Sequence, residues 1–191
     1  TPDAALRDRL FSLRFHGVDT DAWKRYAGSA RVGYDLHEPG FKYNLTDIQA
    51  ALGLVQLRRL GEMQARREGL ARLYDDLLSS VPEVERPARV AYPSRHAWHL
   101  YQVLADRERT GFTRDELRDE LKKRNVGTGL HFLAVHELAY YRERYPAPRG
   151  RLERTDHVAA RIVSLPLFPD MKEEDVEGVV RELKDVLALR R

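Results

Sequence analysis

The 191-residue sequence contains no cysteine. A chain without cysteine forms no disulfide, offers no catalytic thiol and builds no thiolate metal site. It also has no run near the ~18 consecutive apolar residues that a membrane-spanning helix requires, and its mean hydropathy is −0.58. These absences argue against a disulfide-stapled scaffold and against a membrane protein. They favour a location in the reducing cytoplasm.

Lysine is also scarce, because only 6 of the 33 lysine and arginine residues are lysines. Chemistry that needs a primary amine therefore has few candidates, namely Lys24, Lys42, Lys122, Lys123, Lys172 and Lys184. The net charge is only +3, from 33 basic and 30 acidic residues. Mixed charges spread along a chain are typical of solvated helix faces. A nucleic-acid binder, for which the pI near 9.2 is the one support, is the least favoured hypothesis and would bind with a steep salt dependence.

The sequence is 42% hydrophobic, which is enough to bury a core. Helical spacing predicts helices over residues 4–16 and 46–80, the second with Thr46 as a good N-cap. Branched and aromatic residues predict strands over 97–105 and 126–132. Shorter helices are predicted at 21–26, 115–124 (opened by a Thr113/Glu116 capping box), 138–145, 152–162 and 173–187, with a stiff linker at 165–169. The fold class is α/β, a small helix and strand layer reached by one long helix.

The loop before the long helix reads Gly-Phe-Lys-Tyr-Asn-Leu-Thr-Asp over residues 40–47. It gathers an amide, an ammonium group, a phenol and free backbone N–H groups at a helix N-terminus, a combination that suits a phosphate or another anion. The alternative is an ordinary capped helix start in which Phe41 and Tyr43 are packing anchors. Both interpretations stay open at this point.

Histidines mark a second candidate site, at Gly127-Thr128-Gly129-Leu130-His131-Phe132 and at His136. On a strand, His131 would face a cleft while Leu130 and Phe132 fill the core. The alternative is a buried histidine with its hydrogen bonds satisfied. We expect no metal here, because no cysteine or adjacent carboxylate pair completes a ligand set and Glu137 alone is insufficient.

Two aromatic segments have less definite roles. Trp98 is predicted to lie in the core, and the roles of its neighbours His96 and His99 are left open. Residues 140–145, Tyr-Tyr-Arg-Glu-Arg-Tyr, either form a basic aromatic surface for nucleic acid or an amphipathic helix whose tyrosines pack. Helical spacing favours the second.

Four segments in order resemble one known family: GFKYNLTDIQAALGLVQL (40–57), HAWHLY (96–101), GTGLHF…H…YYRERYP (127–146) and SLPLFPDM (164–171). They are similar to the C-terminal half of the fold-type I, pyridoxal phosphate-dependent DegT/DnrJ/EryC1/StrS nucleotide-sugar aminotransferases. The residues at 42–44 and 127–146 are most similar to those of the subgroup of UDP-4-amino-4-deoxy-L-arabinose–oxoglutarate aminotransferases of lipid A modification.

The resemblance implies a cytoplasmic homodimer that moves an amino group from glutamate to a 4-keto nucleotide sugar. It implies that residues 1–45 end a large cofactor-binding domain, that 46–80 link the domains, and that 81–191 form a small C-terminal domain. The Schiff-base lysine of the family precedes this region, so we expect no catalytic residue within the 191 residues and no activity from them alone. The alternative is a non-catalytic dimerisation or binding module built on the long helix.

The resemblance also assigns site residues. Asn44 matches the position whose amide reaches the pyridoxal phosphate of the partner subunit, and Lys42 lies in the same loop. His131, Phe132 and His136 match the segment that borders the nucleotide-sugar pocket. No metal, nucleic-acid or membrane partner is implied.

Overall fold

The computed structural model describes residues 1–18, 36, 38–146 and 152–190, so the helix predicted at 21–26 lies outside the described residues. The chain divides into two compact units, Thr1–Arg58 and Arg59–Arg191. The three-part domain division stays a prediction. No helix in the described residues is long and apolar enough to cross a membrane, and the cytoplasmic location likewise stays a prediction.

The first unit contains helix α1, Ala4–Leu13. Its N-cap is Asp3, whose side chain accepts a hydrogen bond from the backbone N–H of Leu6 at 3.0 Å. Helix α2, Asp47–Leu78, begins in this unit and confirms the long helix. Thr46 and Gln49 cap it reciprocally, because each side chain accepts from the other's backbone N–H, at 3.3 and 2.9 Å. This arrangement satisfies donors that a helix start leaves open.

The second unit is built on a three-stranded antiparallel sheet in the order β1-β2-β3. Its strands are β1 (Val84–Glu85), β2 (Tyr101–Ala105) and β3 (Ile162–Leu165). Besides the part of α2 from Arg59 onward, the helices described in this unit are α3 (Arg107–Thr110), α4 (Arg114–Lys123), the 3-10 helix Val135–Glu137, α5 (Ala139–Arg144), α6 (Glu153–Ala159) and α7 (Glu173–Ala188). The Thr113/Glu116 capping box that opens α4 is confirmed.

The strand predictions were only partly right. The first predicted strand begins at Tyr101 instead of residue 97, because Trp98 has a φ of 43°, which is incompatible with an extended strand. The second, 126–132, is not a strand but a segment with one bridge, Gly129↔Ser164. Strand β3 is not among the predicted strands, because the predicted helix ends at Ile162 and the predicted linker begins at Leu165. All four of its residues are buried, and a short apolar run without alternation does not distinguish a strand from a helix.

The core of the second unit lies between one face of the sheet and helices α2, α4 and α7. Trp98, only 3% exposed, belongs to it as predicted. The buried Tyr101 donates its hydroxyl to Asp75 Oδ1 at 2.6 Å. Burial, followed by this hydrogen bond to the carboxylate, raises the pKa of the Tyr101 phenol. The phenol therefore stays protonated and keeps its donor role.

Candidate functional site

The loop before α2 is attached to the end of α1 by backbone hydrogen bonds. Phe41 N donates to Leu13 O at 2.7 Å, Tyr43 N donates to Arg14 O at 2.8 Å, and His16 N donates to Phe41 O at 2.9 Å. These bonds leave the side chains of residues 41–44 exposed. We call residues 41–46 the donor loop.

The side chains of the donor loop pack on one another and not into a core. The rings of Phe41 and Tyr43 stack with centroids 5.1 Å apart, while 54% and 70% of these residues are exposed. The Lys42 ammonium lies 4.7 Å from the centroid of the Phe15 ring. Asn44 is exposed and makes no hydrogen bond within the described residues. Phe41 and Tyr43 are therefore packing anchors for each other and not for a core, and the loop presents an ammonium and a free amide beside a helix N-terminus.

His131 is fixed against the second face of the sheet. Its Nδ1 lies 2.8 Å from Ser164 Oγ in β3, and its carbonyl accepts from Gln102 Nε2 in β2 at 2.9 Å. Phe132 is 73% exposed, so the expectation that it fills the core is wrong. The alternation on which that expectation depended needs a strand, and here only Gly129 pairs with the sheet.

His136 is held by a residue that the sequence did not associate with it. Its Nε2 lies 2.6 Å from Asp156 Oδ1 of α6. A carboxylate oxygen of Glu137 also lies nearby. This oxygen, a ring nitrogen of His136 and a carboxylate oxygen of Asp156 all lie within 4.8 Å of one another. They line a cavity of about 560 Å³ together with Arg142. An arginine beside two carboxylates makes this a mixed-charge cavity suited to a polar ligand, and the absence of a metal stays a prediction.

The chain matches the DegT/DnrJ/EryC1/StrS aminotransferase family over residues 1–184. It belongs to this family. The match covers nearly the whole chain and confirms the resemblance carried by the four segments.

Solved structures of related proteins have the same fold. The aminotransferase TlmJ from Streptoalloteichus hindustanus is 28% identical with a TM-score of 0.78, covering 98% of this chain and 46% of that protein. DesV from S. venezuelae is 28% identical with a TM-score of 0.80, covering 98% and 45%. Helicobacter pylori PseC, an aminotransferase involved in the biosynthesis of pseudoaminic acid, has a TM-score of 0.83 at 21% identity, covering 99% and 48%. At that identity PseC supports the fold alone.

This family member spans about half the length of these solved relatives. Its fold is therefore part of a fold-type I aminotransferase, as predicted. The cofactor indicated by the family is pyridoxal phosphate. The donor loop fits the phosphate of that cofactor, since Lys42 and Asn44 both offer hydrogen-bond donors and the loop's side chains include no carboxylate before Asp47.

The structure also shows the surroundings of His96 and of the tyrosines in residues 140–145, whose roles the sequence left open. His96 accepts from the backbone N–H of Trp98 at 2.9 Å, and its ring lies 4.2 Å from the Trp98 ring. The tyrosines of α5 and its C-cap are exposed, by 62% for Tyr140, 41% for Tyr141 and 61% for Tyr145. The tyrosines pack on one another, with ring centroids 5.3 Å apart for Tyr140 and Tyr141 and 6.4 Å apart for Tyr141 and Tyr145, and not into a core, because no residue of α5 is buried.

Proposed function

We propose that this chain is part of a pyridoxal phosphate-dependent aminotransferase that moves an amino group from glutamate to a 4-keto nucleotide sugar. The UDP-4-keto-pentose of lipid A modification is the substrate that we propose within this class. The donor loop is the observation that carries the proposal, because family membership requires a phosphate-binding element and this loop has the chemistry of one. The enzyme acts as a homodimer.

The donor loop holds the cofactor phosphate of the partner subunit. The amide of Asn44 would donate a hydrogen bond to a phosphate oxygen, and the ammonium of Lys42 would offset the phosphate charge. Because the loop is bonded to α1, these donors need little reordering when the phosphate binds, and binding then costs less entropy.

His131, Phe132 and His136 form one wall of the nucleotide-sugar pocket. The imidazoles supply hydrogen bonds to hydroxyl or phosphate oxygens, and the exposed Phe132 ring supplies an apolar surface for the sugar or base. Bound pyridoxal phosphate supplies the carbonyl chemistry that takes up and releases the amino group. The lysine that carries the cofactor is none of the six lysines here, so these residues bind and orient while the rest of the enzyme performs the proton transfers.

Asn44→Ala in the whole enzyme is expected to weaken retention of pyridoxal phosphate by roughly 10- to 100-fold, since a hydrogen bond to a charged group contributes about 1.5–3 kcal/mol. Asn44→Asp is expected to weaken it further by placing a carboxylate beside the phosphate. The measurement is cofactor absorbance during dialysis. Asn44 is exposed, so neither variant should change the midpoint of thermal unfolding of the enzyme freed of cofactor.

Gln56→Ala is the matched control, because it removes an exposed carboxamide from α2 outside the donor loop. It should retain the cofactor as the unsubstituted enzyme does. Equal cofactor affinity in Asn44→Ala and the control would remove Asn44 from the phosphate site. An enzyme that transfers no amino group from glutamate to any 4-keto nucleotide sugar would refute the proposed function.

A non-catalytic dimerisation module is a second candidate function, favoured by the apolar surface at the start of α2. Ile48, Leu52 and Val55 are 78%, 64% and 50% exposed and recur at spacings of four and three residues, which places them along one stripe of a helix. Such a stripe pairs well with its own copy across a two-fold axis. A dimer without any response to cofactor or nucleotide sugar would favour this candidate over the aminotransferase.

Leu52→Glu is expected to raise the dimer dissociation constant at least tenfold, since it places a charge in the centre of the proposed apolar contact. Light scattering over a concentration series measures this. Leu57→Glu makes the same substitution on the other side of α2, at a leucine that is 65% exposed, and should leave the dimer intact. Equal dimer populations in the two variants would place the contact elsewhere.

A further inference from the structure

His131 is attached to the sheet through a cross-strand pair of polar residues. Gln102 of β2 and Ser164 of β3 are register partners, so their side chains stand on the same face of the sheet. Gln102 Nε2 donates to the His131 carbonyl at 2.9 Å, and Ser164 Oγ lies 2.8 Å from Nδ1 of the ring. Backbone and ring of His131 are thus held by two adjacent strand residues.

Gly129 gives the imidazole the space it occupies. The Gly129 and Ser164 backbones exchange two hydrogen bonds, of 2.9 and 3.0 Å. A Cβ atom on Gly129 would lie 2.4 Å from Cε1 and 2.9 Å from Nδ1 of His131, closer than nonbonded atoms approach. The ring therefore rests directly on the Gly129 backbone. At Gly127, two residues earlier, an added Cβ atom would have no neighbouring atom within 4 Å.

The burial of Ser164 determines the direction of its hydrogen bond. The residue is 3% exposed, and a buried hydroxyl hydrogen needs an acceptor. His131 Nδ1 is the acceptor that Ser164 Oγ contacts within the described residues. If Nδ1–H were the donor instead, the hydroxyl hydrogen would stay buried without a partner, at a cost of about 1–3 kcal/mol. The hydroxyl therefore donates to Nδ1, and the neutral ring carries its hydrogen on Nε2.

We propose that Ser164 and Gly129 are positioning residues that fix His131 as a hydrogen-bond donor through Nε2, directed at an oxygen of the nucleotide sugar. The identity of the ligand in this inference rests on the proposed function. The tautomer of the His131 ring does not. Nε2 makes no hydrogen bond in the part of the chain that the structure describes, so its N–H is available. A donor in this position selects ligands that present an accepting oxygen, such as a sugar hydroxyl or a phosphate oxygen.

The state of the ring is measured in this chain by 15N NMR of His131 in alkaline buffer. The expected tautomer carries hydrogen on Nε2 and none on Nδ1. Ser164→Ala should give a mixture of the two tautomers, whereas Ser164→Thr, which keeps the hydroxyl, should keep the single tautomer. Gly129→Ala should displace the ring and give the same mixture, and Gly127→Ala should not. A hydrogen on Nδ1 in the unsubstituted chain, or no change in Ser164→Ala, would overturn the proposal.

The ligand is tested by the kinetics of the whole enzyme. Ser164→Ala should raise the KM for the nucleotide sugar about fivefold, as expected for one neutral hydrogen bond, while the KM for glutamate stays unchanged. Ser94→Ala, an exposed serine, is the control. An equal rise in both KM values would mean general damage and overturn the positioning role. If the enzyme transfers no amino group to a nucleotide sugar, the proposed function fails, and the NMR result still decides the role of Ser164.

Discussion

Leu183→Ala is expected to lower the free energy of unfolding of the Arg59–Arg191 unit by about 3 kcal/mol, within the range of about 2–5 kcal/mol for buried leucines. Leu183 of α7 is 0% exposed and belongs to the same buried cluster as Leu117 and Leu121 of α4. Truncation removes apolar contacts and leaves a cavity that neighbouring helices and strands do not easily close. Urea denaturation followed by circular dichroism measures the loss.

The matched control is Leu189→Ala, at the C-cap of the same helix. Leu189 is 58% exposed, so its truncation should change the free energy of unfolding by no more than about 0.5 kcal/mol. A loss of less than about 1 kcal/mol for Leu183→Ala would mean that α7 is not packed on the sheet and α4 as described.

Gly40→Ala is the second prediction with a large effect, and it concerns the donor loop. An added Cβ would lie 2.2 Å from Gly17 N and 2.6 Å from both His16 C and Leu13 O. These are backbone atoms, so no side-chain rotation relieves the clash. We expect a loss of about 3 kcal/mol in the stability of the Thr1–Arg58 unit, at the upper end of overpacking effects, measured by urea denaturation.

The displaced loop should also fail to hold the cofactor phosphate. Retention of pyridoxal phosphate in Gly40→Ala is therefore expected to fall at least as far as in Asn44→Ala, although the Asn44 amide is unchanged. Gly53→Ala in α2 is the control. Nothing lies within 4 Å of an added Cβ there, and alanine should stabilise the helix by about 0.5–1 kcal/mol. Unchanged stability and cofactor retention in Gly40→Ala would contradict the attachment of the loop to α1.

Together these two predictions test, one unit at a time, the structural support of His131 and the structural support of Asn44. The core around α7 supports the sheet on which His131 rests, whereas the contacts of Gly40 support the loop that carries Asn44. Each unit contributes its own group of donors, and each group depends on buried contacts that the donors themselves do not make.

The amino-acid sequence by itself determined the long helix, the capped start of α4 and the family. The starts of α2 and α4 were predictable because capping is local: Thr46 with Gln49, and Thr113 with Glu116, interact within one turn. The donor loop could be proposed as an anion site for the same reason, since its donors follow one another in the chain. Four short segments in a constant order were enough to identify the family, which the match over residues 1–184 confirmed.

Only the tertiary structure decided strand β3 and the surroundings of the two histidines. Strand β3 is a four-residue run buried on both faces, and its identity depends on pairing with β2, some sixty positions earlier in the printed sequence. Ser164 and Asp156 reach His131 and His136 across 33 and 20 residues. Such contacts arise because a sheet and the helices packed near it bring distant segments together. The periodicity within one segment does not specify which distant residue it contacts.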